Sequence, residues 1–114
     1  MKVPLALNLT EVGSLSGLHE AMAKIFGFPE FYGNNYPGLV DCLSSLRYPA
    51  DGMTSVNLKS NCDAIELRII GLSSCKYEVV VTLLSAIESV NDRLIQRSMN
   101  PSIYLLLVKE GLRE

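Results

Sequence analysis

The stretch KYEVVVTLLSAIESVNDRLIQR (residues 76–97) decides the fold of this chain. Its first half is locally strand-like, because Val79-Val80-Val81-Thr82 is a β-branched run that suits a pleated surface. Over the whole stretch, however, Val80, Leu83, Leu84, Ile87, Val90 and Leu94 recur at helical spacing, and a pattern sustained for about five turns is too long for a strand. We read it as a long helix, with Ser74 as its cap and Asn100-Pro101 as its stop. On its N-terminal side AIELRII (64–70) is a central strand closed by Gly71, with Glu66 and Arg68 on one face and free to pair. On its C-terminal side SIYLLLV (102–108) is a third strand, nearly all apolar. Strands joined through a helix need a crossover and run parallel.

Upstream, VPLALNL (3–9) is a first strand, apolar enough to be buried on both faces, with Pro4 at its start or on an edge. A helix follows with Ser16 as N-cap, an apolar stripe of Leu18, Ala21, Met22 and Ile25, and Gly27 and Pro29 as its end. A second, short helix starts at Tyr36-Pro37 and runs to residue 46, with Leu39, Cys42, Leu43 and Leu46 facing inward. Val40 and Asp41 fall off that stripe and are expected to be at least partly exposed. Tyr48 to Gly52 form a turn, residues 53–63 alternate weakly and admit a short edge strand, and Lys109 to Glu114 form a solvated tail. The order β-α-α-β-α-β predicts an α/β fold, a three-stranded parallel sheet with helices packed on it, as a single domain over residues 1–114.

The 114 residues are 48% hydrophobic with a formal charge of −2. That balance suits a packed core and offers no basic footprint for nucleic acid. Cys42, Cys62 and Cys75 are an odd set with no CxxC, which fits free thiols in a reducing compartment. The N-terminal apolar run is too short for a signal peptide, and no stretch approaches the ~20 apolar residues of a membrane span. A cytoplasmic protein is expected.

Chemistry-bearing clusters are sparse. His19 is the one histidine and reads as a helix-surface or half-buried residue, with no nucleophile tied to it by spacing. The cysteine spacing builds no zinc site, and neither metal nor cofactor is expected. Gly71-Leu72-Ser73-Ser74 stands where a phosphate cradle would, between strand and helix, but matches no phosphate-binding motif. Glu88 and Asp92, four apart on the long helix, form a solvated face or an acidic patch that adds to Asp41 if two helices lie side by side.

What remains is the segment from Phe28 to Leu43. Phe31, Tyr32 and Tyr36 are large, stiff contact residues interleaved with Gly33, Asn34 and Asn35, and Asp41 follows on the helix. Aromatics of this kind dominate interface hot spots. PEFYGNNYPGLVDCL (29–43) resembles the signature of the barstar family of ribonuclease inhibitors, in which a P-E-aromatic-Tyr-Gly-x-Asn segment leads into a helix ending Asp-Cys-Leu. Ser14-Leu15-Ser16-Gly17-Leu18-His19 resembles the start of that family's first helix, so the likeness covers about residues 5 to 43.

The resemblance implies a barstar-like fold and an immunity or inhibitor protein that is not an enzyme. Its partner would be a cognate toxin, a nuclease domain, bound as a heterodimer without direct contact to nucleic acid or membrane. The loop 28–36 and the helix 36–46 would plug the toxin's active site. Phe31, Gly33 and Asn35 match the family's loop contacts and Asp41 its central acidic contact; Tyr32, Asn34, Tyr36, Val40 and Glu88 complete the expected surface. Three departures stand out. Pro37 and Asn34 replace acids, and Val40 replaces a tryptophan, which directs the expectation away from barnase itself towards another toxin. Two other readings stay open: a small ligand-binding domain or enzyme using residues 71–74 and His19, and a barstar-like interaction domain without inhibitory activity.

Overall fold

The computed structural model describes residues 1–109; the expected tail lies outside the described residues from position 110 on. The elements are β1 (Lys2–Asn8), α1 (Leu15–Phe26), α2 (Tyr36–Leu43), β2 (Ala64–Ile70), α3 (Tyr77–Gln96) and β3 (Ile103–Val108). The long helix and the order β-α-α-β-α-β are as the periodicities predict. The sheet has the order β1-β2-β3 and is parallel, with Leu5 opposite Leu67 and Leu67 opposite Leu105. Each crossover advances one strand in the same direction, so right-handed connections place every helix on one face of the sheet.

The burial pattern follows from that one-sided arrangement. Leu7, Ile65, Leu67 and Ile69 point into the helices and are buried. Lys2, Pro4 and Ala6 are exposed on the opposite face, beside half-buried Glu66 and Arg68, and the Arg68 Nε–H donates to Glu66 at 2.7 Å. The expectation that β1 is buried on both faces is therefore corrected, since a strand in a two-layer fold has only one covered side. Leu18, Met22 and Phe26 of α1, Leu39 and Leu43 of α2, and Leu83 and Val90 of α3 complete the core. On α3 the buried set is Val79, Leu83, Ala86, Ile87, Val90 and Leu94. This arc is rotated from the predicted stripe, leaving Val80 half-buried and Leu84 exposed.

Several local expectations shift. The cap of α1 is Ser14, whose Oγ accepts the Gly17 N–H at 3.0 Å, not Ser16. Ser74 lies in a 3-10 turn, Leu72–Ser74, and α3 begins after Lys76 with no side-chain cap. Gly27 ends α1 in the left-handed region at φ 69°, where a Cβ would also meet Ser55 Oγ at 2.2 Å; glycine is required there on both counts.

Residues 53–63 form no strand. Their backbone N–H groups are spent elsewhere: Ser55 donates to the Phe26 carbonyl at 2.9 Å and Leu58 to the Leu46 carbonyl at 2.7 Å. With Leu58 buried, the segment straps the ends of α1 and α2 instead of extending the sheet. Just after α2, Arg47 donates to the carbonyls of Ser60, Asn61, Asp63, Asn100 and Pro101. One guanidinium thereby joins the end of α2 to the loops that lead into β2 and β3.

Candidate functional site

The segment between α1 and α2 is built as a clamped loop. The Gly27 and Phe28 N–H groups both donate to the Ala23 carbonyl, and Tyr32 N–H closes a turn onto Pro29. Asn34 takes the left-handed conformation at φ 52°, one that asparagine tolerates better than most residues. Asn35 is the N-cap of α2: its Oδ1 accepts the Gly38 N–H at 2.8 Å, and Pro37 sits in the first turn, where its missing N–H is no loss.

Aromatic contacts divide the loop into anchors and contacts. The Phe28 ring lies 5.9 Å from buried Phe26 and 4.8 Å from Tyr32, and Tyr32 lies 5.7 Å from the imidazole of His19. The Tyr32 hydroxyl is hydrogen-bonded to His19 Nδ1. Burial pushes the Tyr32 pKa up to about 12, with Cys42 adding to the effect, and burial lowers that of His19. The neutral forms are favoured in both, so a protonated phenol can donate to an unprotonated ring nitrogen. His19 is 5% exposed, more deeply set than the sequence suggests, and serves as the post to which the loop is tied.

Phe31, by contrast, is 77% exposed. Gly33, Asn34, Asn35 and Tyr36 are exposed with it, and Tyr36 reaches α3 through a 3.1 Å hydrogen bond between its hydroxyl and that of Ser89.

On α2, Asp41 is exposed as expected. Its Oδ1 accepts from Arg93 Nη1 of α3 at 3.0 Å, and the same Arg93 nitrogen lies 3.3 Å from Ser44 Oγ. The pair sits between α2 and α3 in a groove that also carries Asp51 and Arg97. Val40 overturns its prediction. It is 3% exposed and part of the core, because α3 packs against α2 on the flank that carries Val40, beside Ser89 and Arg93, which widens the apolar arc of α2 beyond a single stripe. It presents no side-chain surface to a partner.

Arg93 and Ser89 were not among the predicted residues. The signal lies in their four-residue spacing, which puts both on the α3 ridge that faces α2. Glu88 is one position, about 100°, away from that ridge, and the α3 side chain bonded to Asp41 is the cation Arg93. Asp92 is engaged locally, accepting from Gln96 Nε2 at 2.7 Å.

A family model described as "Barstar (barnase inhibitor)" matches residues 3–66, more than half of the 114 residues. The chain belongs to the barstar family. The matched span runs from β1 into β2 and contains the whole clamped loop and α2. Barstar-family membership implies inhibitor-type function. Burial raises the pKa of the Cys42 thiol, with Asp41 adding to the shift, so the cysteine nearest the site is held in its unreactive form. No group of three metal-ligating side chains is found among the described residues. In the 71–74 turn, the Ser74 and Cys75 N–H groups bond back to Gly71 and Leu72, and the 3-10 turn separates the glycine from the start of α3. No helix of the described residues is long and apolar enough to cross a membrane. Against the barstar pattern, the places of the departures are now defined: Pro37 and Asn34 shape the helix start, and Val40 has turned inward.

Proposed function

We propose that this protein is the immunity partner of a toxin, a nuclease, and that it occludes the toxin's active site with loop 28–36 and the outer face of α2, working inside the cell that makes it. The observation that carries this reading is the division of labour in the loop. Phe28 and Tyr32 are spent on anchoring, which leaves Phe31 projecting at 77% exposure from a backbone that needs little further ordering on binding. An exposed aromatic on a preorganised segment is what a binding hot spot requires. Asn34, Asn35 and Tyr36 supply polar and aromatic contacts around it.

The Asp41–Arg93 pair tunes the partner's chemistry. With side-chain exposures of 57% and 44%, the pair contributes about 1 kcal/mol or less, so a toxin can reopen it at small cost. A toxin cation would then take Asp41 in a charge-assisted bond, and Arg93 would meet an acidic or carbonyl group on the same toxin. This mixed-sign centre, with Pro37 in place of an acid, suits a less basic active site than barnase's.

The experiment is to purify the chain with the product of the neighbouring gene and measure binding and nuclease activity. Asp41→Ala and Phe31→Ala should each weaken binding by roughly thirtyfold, about 2 kcal/mol, with the fold intact by circular dichroism. Full inhibition by both variants would sink this assignment of the surface, and failure of the wild type to bind would sink the proposed partner.

A further inference from the structure

The two outer strands of the sheet are protected very differently. On β1, Met1 O and Leu9 N–H bond to β2, so the odd-numbered residues turn their amides inward and Lys2, Pro4, Ala6 and Asn8 turn theirs to the free edge. Pro4 thus removes a donor from that edge, a familiar way of refusing another strand, while the Lys2 ammonium reaches across the open face to lie 5.0 Å from the centre of the Tyr104 ring.

On β3 the Ser102 and Val108 carbonyls accept from β2, so Ile103, Leu105 and Leu107 face outward. Ile103 is already taken: Asn91 Nδ2 donates to its carbonyl at 2.9 Å, and Asn91 Oδ1 lies 3.3 Å from its N–H. The open part of the edge is Leu105 and Leu107, in a strand that carries neither charge nor proline.

The side chains beside that edge are also apolar. α3 runs back over β3, with Asn91 beside Ile103 and Val80 lining the same cavity as Leu107. Leu84 lies at helical spacing between Val80 and Asn91. Leu84 is 38% exposed and Leu107 56%, and Tyr77 extends the stripe at one end. Glu88, three residues before Asn91, is the one acid in it.

From this we infer that a second copy of the chain pairs edge to edge with β3 in antiparallel fashion, making a two-fold dimer with a continuous six-stranded sheet. The register is fixed by groups already named. A two-fold axis perpendicular to the sheet keeps all helices on one side and pairs residues of like parity. With Ile103 blocked by Asn91, both open residues face residues of β3 itself only when Leu105 of each copy faces Leu107 of the other, with the axis at Leu106. Tyr104 then meets Val108, and every cross-strand pair from Tyr104 to Val108 is apolar. On the helical side Val80 meets Leu84 of the second copy. Lys109 falls opposite Ile103, and so beside Asn91 of the other α3 and within one helical turn of its Glu88, bringing opposite charges close at both ends of the strip. The new outer strands are two copies of β1, where Pro4 lacks the N–H that a further strand would need, so the assembly closes at two. Phe31, Tyr36 and Asp41 belong to other elements and take no part.

Sedimentation of the purified full chain over a range of concentrations tests this. The expected result is a reversible monomer–dimer equilibrium that Leu107→Lys converts to monomer without changing the circular dichroism spectrum. Glu88→Lys should weaken the dimer about threefold, and adding Lys109→Glu to it should restore the loss, a rescue that a mere folding defect would not give. A chain that stays monomeric into the millimolar range overturns the inference. So does a dimer indifferent to Leu107→Lys, or a chain that dimerises only after removal of residues 110–114, which would mean that its own tail occupies the strip.

Discussion

The loop 27–35 with α2 and the outer edge of β3 both leave large apolar side chains in water, yet they are held by opposite means. In the loop, the start of α2 and the anchoring hydroxyl are satisfied internally, by the Asn35 cap and the Tyr32–His19 bond, and side-chain tips such as Phe31, Tyr36 and Asp41 are offered. On β3 the offer is the backbone itself, at Leu105 and Leu107. Recognition through side-chain tips is specific and changes with single substitutions. Recognition through a strand edge tolerates changes of sequence and is naturally self-matching. A protein that must discriminate one toxin from its relatives gains from the first kind.

Substitutions can separate the two. The largest effect is expected from Phe28→Ala, which removes the ring linking Phe26 to Tyr32. Chemical denaturation should show a loss of about 3 kcal/mol, the usual cost of truncating a packed phenylalanine, and toxin binding should fall with it while β3 pairing persists. Asn35→Ala removes the cap of α2 and should cost about 1 kcal/mol, read by thermal melting, with a matching drop in affinity.

Acid acts on the same side of the comparison. His19 has a lowered pKa in the folded protein, so the unfolded chain binds the proton more readily. Its contribution is complete above the ordinary value of 6.5 and is lost as pH falls below it towards the folded-state value. Denaturation midpoints should drop over that interval, and His19→Gln should flatten the drop. The smallest effect belongs to Arg93→Ala. Stability should change by less than about 1 kcal/mol, while toxin association becomes more salt-sensitive because Asp41 is no longer neutralised.

The element order was legible because each long element repeats its own period, most clearly α3, and because Gly27 and Asn100-Pro101 punctuate it. What was not legible depends on neighbours in space. Val40 goes inside because α3 covers its flank of α2. The Asp41–Arg93 contact joins residues 52 positions apart, and nothing in either segment alone points to the other. Caps were misplaced because Ser14 and Ser16, and Ser74 and Lys76, compete within two residues, and backbone geometry chooses between them. The apolar run of β3 carries no sign of its exposure, which comes from having helices on one face and an open edge. The loop's character as a contact surface was visible in its composition, whereas its split into anchors and tips needed the ring contacts.

Arg47 has a practical corollary. Its guanidinium fixes the end of α2 to the loops before β2 and β3 through contacts that include neither residue 31 nor residue 41. Positions 31 and 41 can therefore be randomised together without touching that bracket, and if the proposed function holds, such a library is a starting point for inhibitors directed at nucleases of choice.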